Sequence, residues 1–399
     1  MRNSATRALI SKRLPSPRAR GTLSARMRLM TSWPKNLALF FLAALALSVG
    51  ECVTVARGAD WTIIKYQGRD HVTLQNVAQF YGLDGAQRVT NNFSLGGGLN
   101  RLRGAVGSNE LYINNLKFIL SYPVEEVNGQ PIVSRMDLAK IIEPVLRPSK
   151  IKGAENIDTI VLDPGHGGHD NGAMSFWGNE KTYALDVALR AKPLLEEMGL
   201  KVYLTRSTDV FIPLEDRVRF ANQFHNALFI AIHFNSGGAA ASGIETYTLA
   251  PRGVPSMMAD GPSISDLQPC AGNARDAENI ALACATHASL IAHSQVYDRG
   301  IKRARFVVIR DITVPGVLIE GGFLSNPDDA RKIAAVPYRQ NMAQCIATAV
   351  RNYRTALGSP DTLIAGKSVI VRDLLESDNA ATSSSSKTGA PLVITPTTN

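Results

Sequence analysis

The chain is 399 residues long, more than one average domain, and 45% of it is hydrophobic, which excludes a wholly disordered protein. Its formal charge of +9 is not spread evenly: nine Lys or Arg and no acid fall in residues 1–35, and the other 34 cations equal the 34 Asp and Glu. The body is therefore neutral, which removes the main support for a nucleic-acid-binding function.

The basic block runs into "LALFFLAALALSVG" (37–50), an apolar run too short for a comfortable membrane span. A positive region followed by such a run reads as a secretory signal, so residues 1–59 are expected to be a leader and the protein to be exported. Met27 or Met30 is an alternative start, Gly50 and Ala59 mark alternative cleavage points, and an uncleaved anchor is the competing reading. Four cysteines (Cys52, Cys270, Cys284, Cys345) are too few for a disulfide scaffold. Cys270 and Cys284 could pair; buried free thiols fit the apolar patterns around Cys284 and Cys345 equally well.

Residues 60–147 read as a small α+β module. "WTIIKYQGRDHVTLQNVAQFYGL" predicts a short strand and then a helix, and "RLRGAVG", "ELYINNLKFILS" and "VNGQPIVS" predict strands, with Asn128-Gly129 as a hairpin turn. "SRMDLAKIIEPVL" predicts a helix opened by Ser134, with Asp137 placed for a capping box. "VTLQNVA" (72–78) and "VSRMDLA" (133–139) share a pattern, the mark of a weak internal duplication. On these stretches the module resembles the copper-amine-oxidase N-terminal-like domain found beside cell-wall enzymes. His71 stands alone in it and is expected at the surface.

Residues 148–156 are polar, with Pro and Gly nearby, and read as a linker. Over 157–357 strands and helices alternate: apolar strands at "TIVLD", "KVYLT", "LFIAIHF", "GIETYTL", "FVVIR" and "GVLIE", and helices around 181–198, 213–225, 276–294 and 328–354. That alternation predicts an α/β fold, a twisted, mostly parallel sheet of about six strands with helices on both faces. Pro193 should kink the first helix or start a new turn. Residues 358–399 are low in complexity and expected to be a disordered tail.

The chemistry gathers where strands end. "VLDPGHGGHD" (161–170) could cradle a phosphate, but it lacks the Lys and Ser/Thr of a P-loop and the spacing of a dinucleotide fingerprint. In sheets of this kind functional groups collect at the carboxyl edge. His166 follows "TIVLD", His233 closes "LFIAIHF", Glu320 closes "GVLIE", and Glu180 opens the first helix. Singly, each reads as a surface histidine, a first-turn acid favoured by the helix dipole, or an arginine partner. Jointly they contain the two His and one Glu of a typical catalytic zinc site. His225, at a helix end, and His287 and His293, in a helix pattern, read as structural.

"LDPGHGGHDNGA", "NEKTYALDVA", "LTRSTDVFIPLEDRVRFAN", "IAIHFNS", "GIETY" and "VLIEGGFLSNPDDA" together resemble the zinc-dependent N-acetylmuramoyl-L-alanine amidases of the type-3 family, in order, over about 157–355. The resemblance implies zinc held by His166, Glu180 and His233, Glu320 as catalytic acid/base, and peptidoglycan as substrate. It places no ligand role on His169, and it puts Arg206, Asp209, Arg217 and Asn222 in the scaffold or rim. Asp163 is a candidate to orient a ligand imidazole or to cap the turn, and Glu245 is the rival acid/base, mid-strand rather than at an exit. Some such amidases carry an inserted helix that plugs the zinc site. The corresponding 251–279 is rich in Pro, Gly and Ser and predicts a loop, hence a site that no such helix covers. The expected protein is an exported, periplasmic or envelope peptidoglycan amidase; a zinc peptidase acting on stem peptides and a non-catalytic wall-binding protein are the alternatives.

Overall fold

The computed structural model describes residues 56–57 and 61–357, except 99, 152–155, 259–260 and 295. The tail predicted for 358–399 and all of the predicted leader but Ala56 and Arg57 lie outside the described residues.

The chain enters through β1 (Ala56–Arg57), β2 (Thr62–Tyr66) and β3 (Arg69–Thr73). Cleavage after Gly50 would keep β1, which pairs with β2, whereas cleavage near Ala59 would remove it. The pattern predicts one short strand here, but Gln67 and Gly68, at φ +46° and +73°, fold it into a two-residue hairpin. His71, expected at the surface, is buried, because β3 lies between β2 and β10; its ring meets Tyr66 edge to face. Thr73 caps α1 (Leu74–Tyr81) by accepting the Asn76 N–H at 3.0 Å. An antiparallel meander follows: β4 (Gln87–Val89), β5 (Asn92–Gly97), β6 (Asn100–Ala105), β7 (Glu110–Ile113) and β8 (Leu116–Ile119). The hairpin β9 (Glu125–Val127) and β10 (Gln130–Ser134) turns at Asn128-Gly129, both at positive φ, as the dipeptide predicts.

Ser134 caps the next helix through the Asp137 N–H. Asp137 does not complete the capping box as expected; its carboxylate accepts from Ser134 Oγ and from the Ser121 and Tyr122 N–H groups. The helix consists of α2 (Arg135–Asp137), a π turn (Leu138–Ile142) and α3 (Glu143–Leu146). Pro144 accounts for the π turn. It has no N–H to give the Lys140 carbonyl, which accepts instead from Arg303 of a later strand. The two strand-and-helix units, with matched caps, meet through β3 and β10, where Val72 lies opposite Val133. This is the geometry behind the duplicated sequence pattern.

The second half contains β11 (Thr159–Pro164), the hairpin β12 (Met174–Ser175) and β13 (Gly178–Asn179), α4 (Glu180–Glu196), β14 (Lys201–Leu204), α5 (Leu214–Ala221) and β15 (Ala227–Asn235). Then come β16 (Ile244–Leu249), α6 (Asp276–His293), β17 (Asp298–Ala304), α7 (Val307–Arg310), β18 (Gly316–Phe323), α8 (Pro327–Ala334) and α9 (Val336–Leu357). "FVVIR", read as a strand for its β-branched residues, forms α7, and the strand is the charged "DRGIKRA" before it. The single helix predicted over 328–354 is broken at Ala335, just before Val336-Pro337, where proline disfavours a continuous helix. Pro193 sits near the end of α4, which continues to Glu196.

The sheet departs from the expected six, mostly parallel strands. It has eleven, in the order β14-β11-β15-β18-β16-β17-β8-β7-β6-β5-β4, and it is mixed. β16 runs antiparallel to β18, because the chain returns from β15 through a short loop with no room for a helical crossover. Beyond β17 the sheet continues into the N-terminal meander, with Ile301 of β17 opposite Phe118 of β8. One apolar core, which includes residues of α4, α6 and α9, extends into the N-terminal strands; a second lies on the side of α5 and α7. Lys140 Nζ lies 2.8 Å from Asp276 across the junction. Cys270, Cys284 and Cys345 are free thiols, and burial pushes those of Cys284 and Cys345 up to about 12.

Candidate metal centre

β11 ends at Pro164, and the next residues bend over the carboxyl edge of the sheet. His166 adopts φ +61°, a left-handed conformation that costs a non-glycine residue energy and persists only where its surroundings hold it. Two buried arginines do so. Arg217 donates to the Pro164 and His166 carbonyls, each at 2.7 Å, and Arg206 to the Gly165 carbonyl at 2.7 Å. Gly165 and Gly172 supply room: a Cβ on Gly165 would lie 2.3 Å from the His233 ring, and one on Gly172 2.5 Å from both Glu180 Oε2 and the His166 ring. A turn closed by paired Gly167 and Asp170 brings Asp170 back to His166.

Three side chains converge above this loop. Glu180 Oε1 lies 3.0 Å from His166 Nε2 and 2.8 Å from His233 Nδ1, and the ligand atoms of the three all lie within 4.8 Å of one another. Glu180 is buried at the start of α4, where its two oxygens accept the Phe234 N–H at 3.1 Å and the Ala173 N–H at 2.8 Å. Burial opposes its charge, but the two imidazoles outweigh it and hold the carboxyl far below the usual range. The same balance holds at His166: burial disfavours its charge, yet Glu180 and Asp170 outweigh it and raise its pKa.

The residue that orients His166 is Asp170, whose Oδ2 meets Nδ1 at 2.8 Å and leaves Nε2 turned to Glu180. Asp163, the expected candidate, does not reach an imidazole. Its Oδ1 binds Arg217 at 2.7 Å, both side chains buried, and accepts from Thr205. Strand parity could have shown this, since Asp163 shares the face of Val161, which packs in the core on the α5 side. Asp170 carried a signal too, four residues after His166 across two glycines. His169 lies against Phe211 and is not among the converging side chains, and His287 bridges Thr246 and Asp298 within the core. Asp209 and Asn222 brace loops, accepting from Gly168 and from Thr313.

Glu320 ends up beside His233 in the parallel register of β15 and β18, and directly opposite Glu245 of β16. Its Oε2 is sealed from solvent with no hydrogen-bond partner among the described residues. Burial, reinforced by the charges of Glu180 and Glu245, pushes its carboxyl well above the usual value. Glu245 is the opposite case: buried too, it is held ionised by Lys302, Tyr247 and Arg299. Of 251–279, the described residues before α6 form only short turns, Ile264–Leu267 and Ala271–Arg275, and none joins the His–Glu–His group.

The family described as N-acetylmuramoyl-L-alanine amidase matches residues 160–352. An uncharacterised protein of Bacillus subtilis, YqiI, is 35% identical over 204 residues, 51% of this chain and 88% of that protein. The N-acetylmuramoyl-L-alanine amidase AmiA of Escherichia coli is 32% identical over 227 residues, 51% of this chain and 78% of AmiA. Among solved structures, the catalytic domain of the amidase CwlV from Bacillus (Paenibacillus) polymyxa var. colistinus is 32% identical, with a TM-score of 0.41, over 49% of this chain and 98% of that one.

Proposed function

The chain belongs to the N-acetylmuramoyl-L-alanine amidase family and cleaves the amide bond between N-acetylmuramic acid and L-alanine in peptidoglycan; we propose that it does so with zinc held by His166, Glu180 and His233 and with Glu320 as general acid/base. The supporting observation is the convergence of two imidazoles on one Glu180 oxygen, at 3.0 and 2.8 Å, beside a carboxyl with an oxygen sealed from solvent and without a hydrogen-bond partner among the described residues. The donor set fits the ion. Two imidazoles and one carboxylate oxygen, with ligand atoms all within 4.8 Å of one another, are donors such an ion would take, and three protein donors would leave a position for water.

When bound, zinc supplies Lewis acidity, polarising the amide carbonyl and lowering the pKa of water from 15.7 towards about 7. Glu320 then takes the proton from the attacking water and delivers it to the nitrogen of the departing L-alanine. Its raised pKa suits the delivery, and a bound divalent cation would offset that rise and favour the ionised form that accepts the water's proton first. Glu245, ionised and tied to two cations, fixes the charge beside Glu320 and is poorly suited to exchange protons itself. Two carboxyls shifted in opposite directions by their surroundings support this division of roles. Asp170 holds the His166 tautomer that presents Nε2.

We also propose that the protein acts in the cell envelope after export. Among the described residues no helix is long and apolar enough to cross a membrane. The function is tested by incubating the full chain with intact peptidoglycan and identifying the new termini by mass spectrometry. Free N-terminal L-alanine on stem peptides is expected, abolished by a chelator and restored by zinc. Cuts inside the stem would mean a peptidase, and no release by folded, zinc-loaded protein would mean a wall-binding protein.

A further inference from the structure

Between the His166 loop and Glu180 the chain makes a detour, the β12–β13 hairpin, whose tip carries Phe176 and Trp177. Turn tips are normally polar. Here Phe176 is 95% exposed, Met174 64% and Trp177 41%. The tip is held firmly all the same. Tyr183 donates to the Trp177 carbonyl at 2.6 Å, and Ser175 Oγ donates to the Gly178 carbonyl at 3.0 Å and accepts the Trp177 N–H at 3.2 Å. The two rings meet edge to face with centroids 5.6 Å apart, and the Arg331 guanidinium sits 5.8 Å from the Trp177 ring.

The foot of the hairpin stands in the candidate site. The Ala173 N–H binds Glu180 Oε2, and the Glu180 N–H binds the Ala173 carbonyl, both at 2.8 Å. Three residues of extended chain span about 10 Å at most, so the backbone of the tip stands within about 10 Å of Ala173, which is bonded to Glu180. The scissile bond has a sugar on one side and a peptide on the other, and in a polymeric strand a further pyranose ring, next along from that sugar, falls within the reach of the tip. Such a ring presents a face of C–H groups, apolar and slightly positive, that matches the negative face of an aromatic ring. The stem peptide starts with a methyl side chain and carries carboxylates, which gain little from two neutral rings.

We propose that Phe176 and Trp177 form a stacking platform for the glycan strand and make this chain select long, polymeric substrate. The proposal rests on the amidase reading for the two halves of its substrate. Its test uses the full, zinc-loaded chain and the variants F176A and F176Y. On polymeric peptidoglycan F176A should raise KM about tenfold while kcat stays within about twofold, and F176Y should restore KM. The KM penalty should shrink on a single-sugar muramoyl-peptide. Peptide-free glycan strands should quench tryptophan fluorescence in the native chain, and this should weaken in F176A. An unchanged KM overturns the platform, as does an equal loss on long and short substrates with reduced zinc content, which would mean that the hairpin only props Glu180. A change in oligomeric mass, or a loss of binding to phosphatidylglycerol vesicles with glycan binding intact, would assign the tip to a second copy or to a membrane. If the native chain frees no stem peptide with N-terminal L-alanine, the amidase reading falls, while the glycan titration still decides the platform.

Discussion

Glu320 and Glu245 face each other across two antiparallel strands, and their surroundings shift the two carboxyls in opposite directions, Glu320 up and Glu245 down. The consequence at the level of one residue can be measured twice. Glu320→Gln keeps the shape and removes the exchangeable proton, so turnover should fall by about 10²–10⁴-fold while zinc stoichiometry is kept. Loss of zinc along with activity would make Glu320 a ligand or a support. The same substitution has a pH signature. A carboxyl whose folded pKa is raised contributes stability below its ordinary value of 4.5 and loses it as pH climbs through the folded value. In chelator, Glu320→Gln should therefore melt higher than the native chain at pH 8, with the difference vanishing near pH 4. A difference independent of pH would show that burial does not hold that proton.

At the scale of the element, the loop after β11 places one imidazole by bracing a strained backbone from the far side. The brace is Arg217 on α5, which spans Asp163, the Pro164 and His166 carbonyls and, through Nε, the Ile212 carbonyl. Arg217→Ala would leave Asp163 buried without its counter-charge and free the turn that carries His166. Breaking a buried pair from one side costs about 3–5 kcal/mol. The variant should lose about that much in urea denaturation and bind zinc more weakly. Full stability would mean that the Thr205 hydroxyl alone satisfies Asp163.

At the scale of the molecule, the sheet crosses the boundary that a sequence pattern draws at 148–156. β8 pairs with β17, Arg303 closes the carbonyl that Pro144 leaves open, and the larger core has members on both sides. The described residues should then unfold together, with calorimetric and van't Hoff enthalpies equal. Deleting 61–147 would bare one edge of β17 and part of that core, and the remaining protein should melt lower or aggregate. An unchanged melting temperature would show the two halves to be independent.

Much of this was legible in the sequence because the signals are local. A polar residue that interrupts a buried apolar run stands out, so His166, His233 and Glu320 could be picked out without a structure. The expected strand exits hold only for His166: β15 continues past His233 to Asn235 and β18 past Glu320 to Phe323, while Glu245, expected mid-strand, is the second residue of β16. The cap at Ser134 and the turn at Asn128-Gly129 need only neighbours within a few residues. Strand parity even held the answer for Asp163. β17 lay beyond such reading: its charged side chains are accommodated by Glu245 and the Lys140 carbonyl, partners far away in the chain that no periodicity reveals. So did the antiparallel turn of β16 and the sheet's continuation into the N-terminal strands, which depend on which edges meet. The sequence by itself determined which residues could carry the chemistry. Only the tertiary structure decided which of two glutamates is shifted up and which down, and which aspartate holds His166, because burial and charge belong to neighbours that folding brings together.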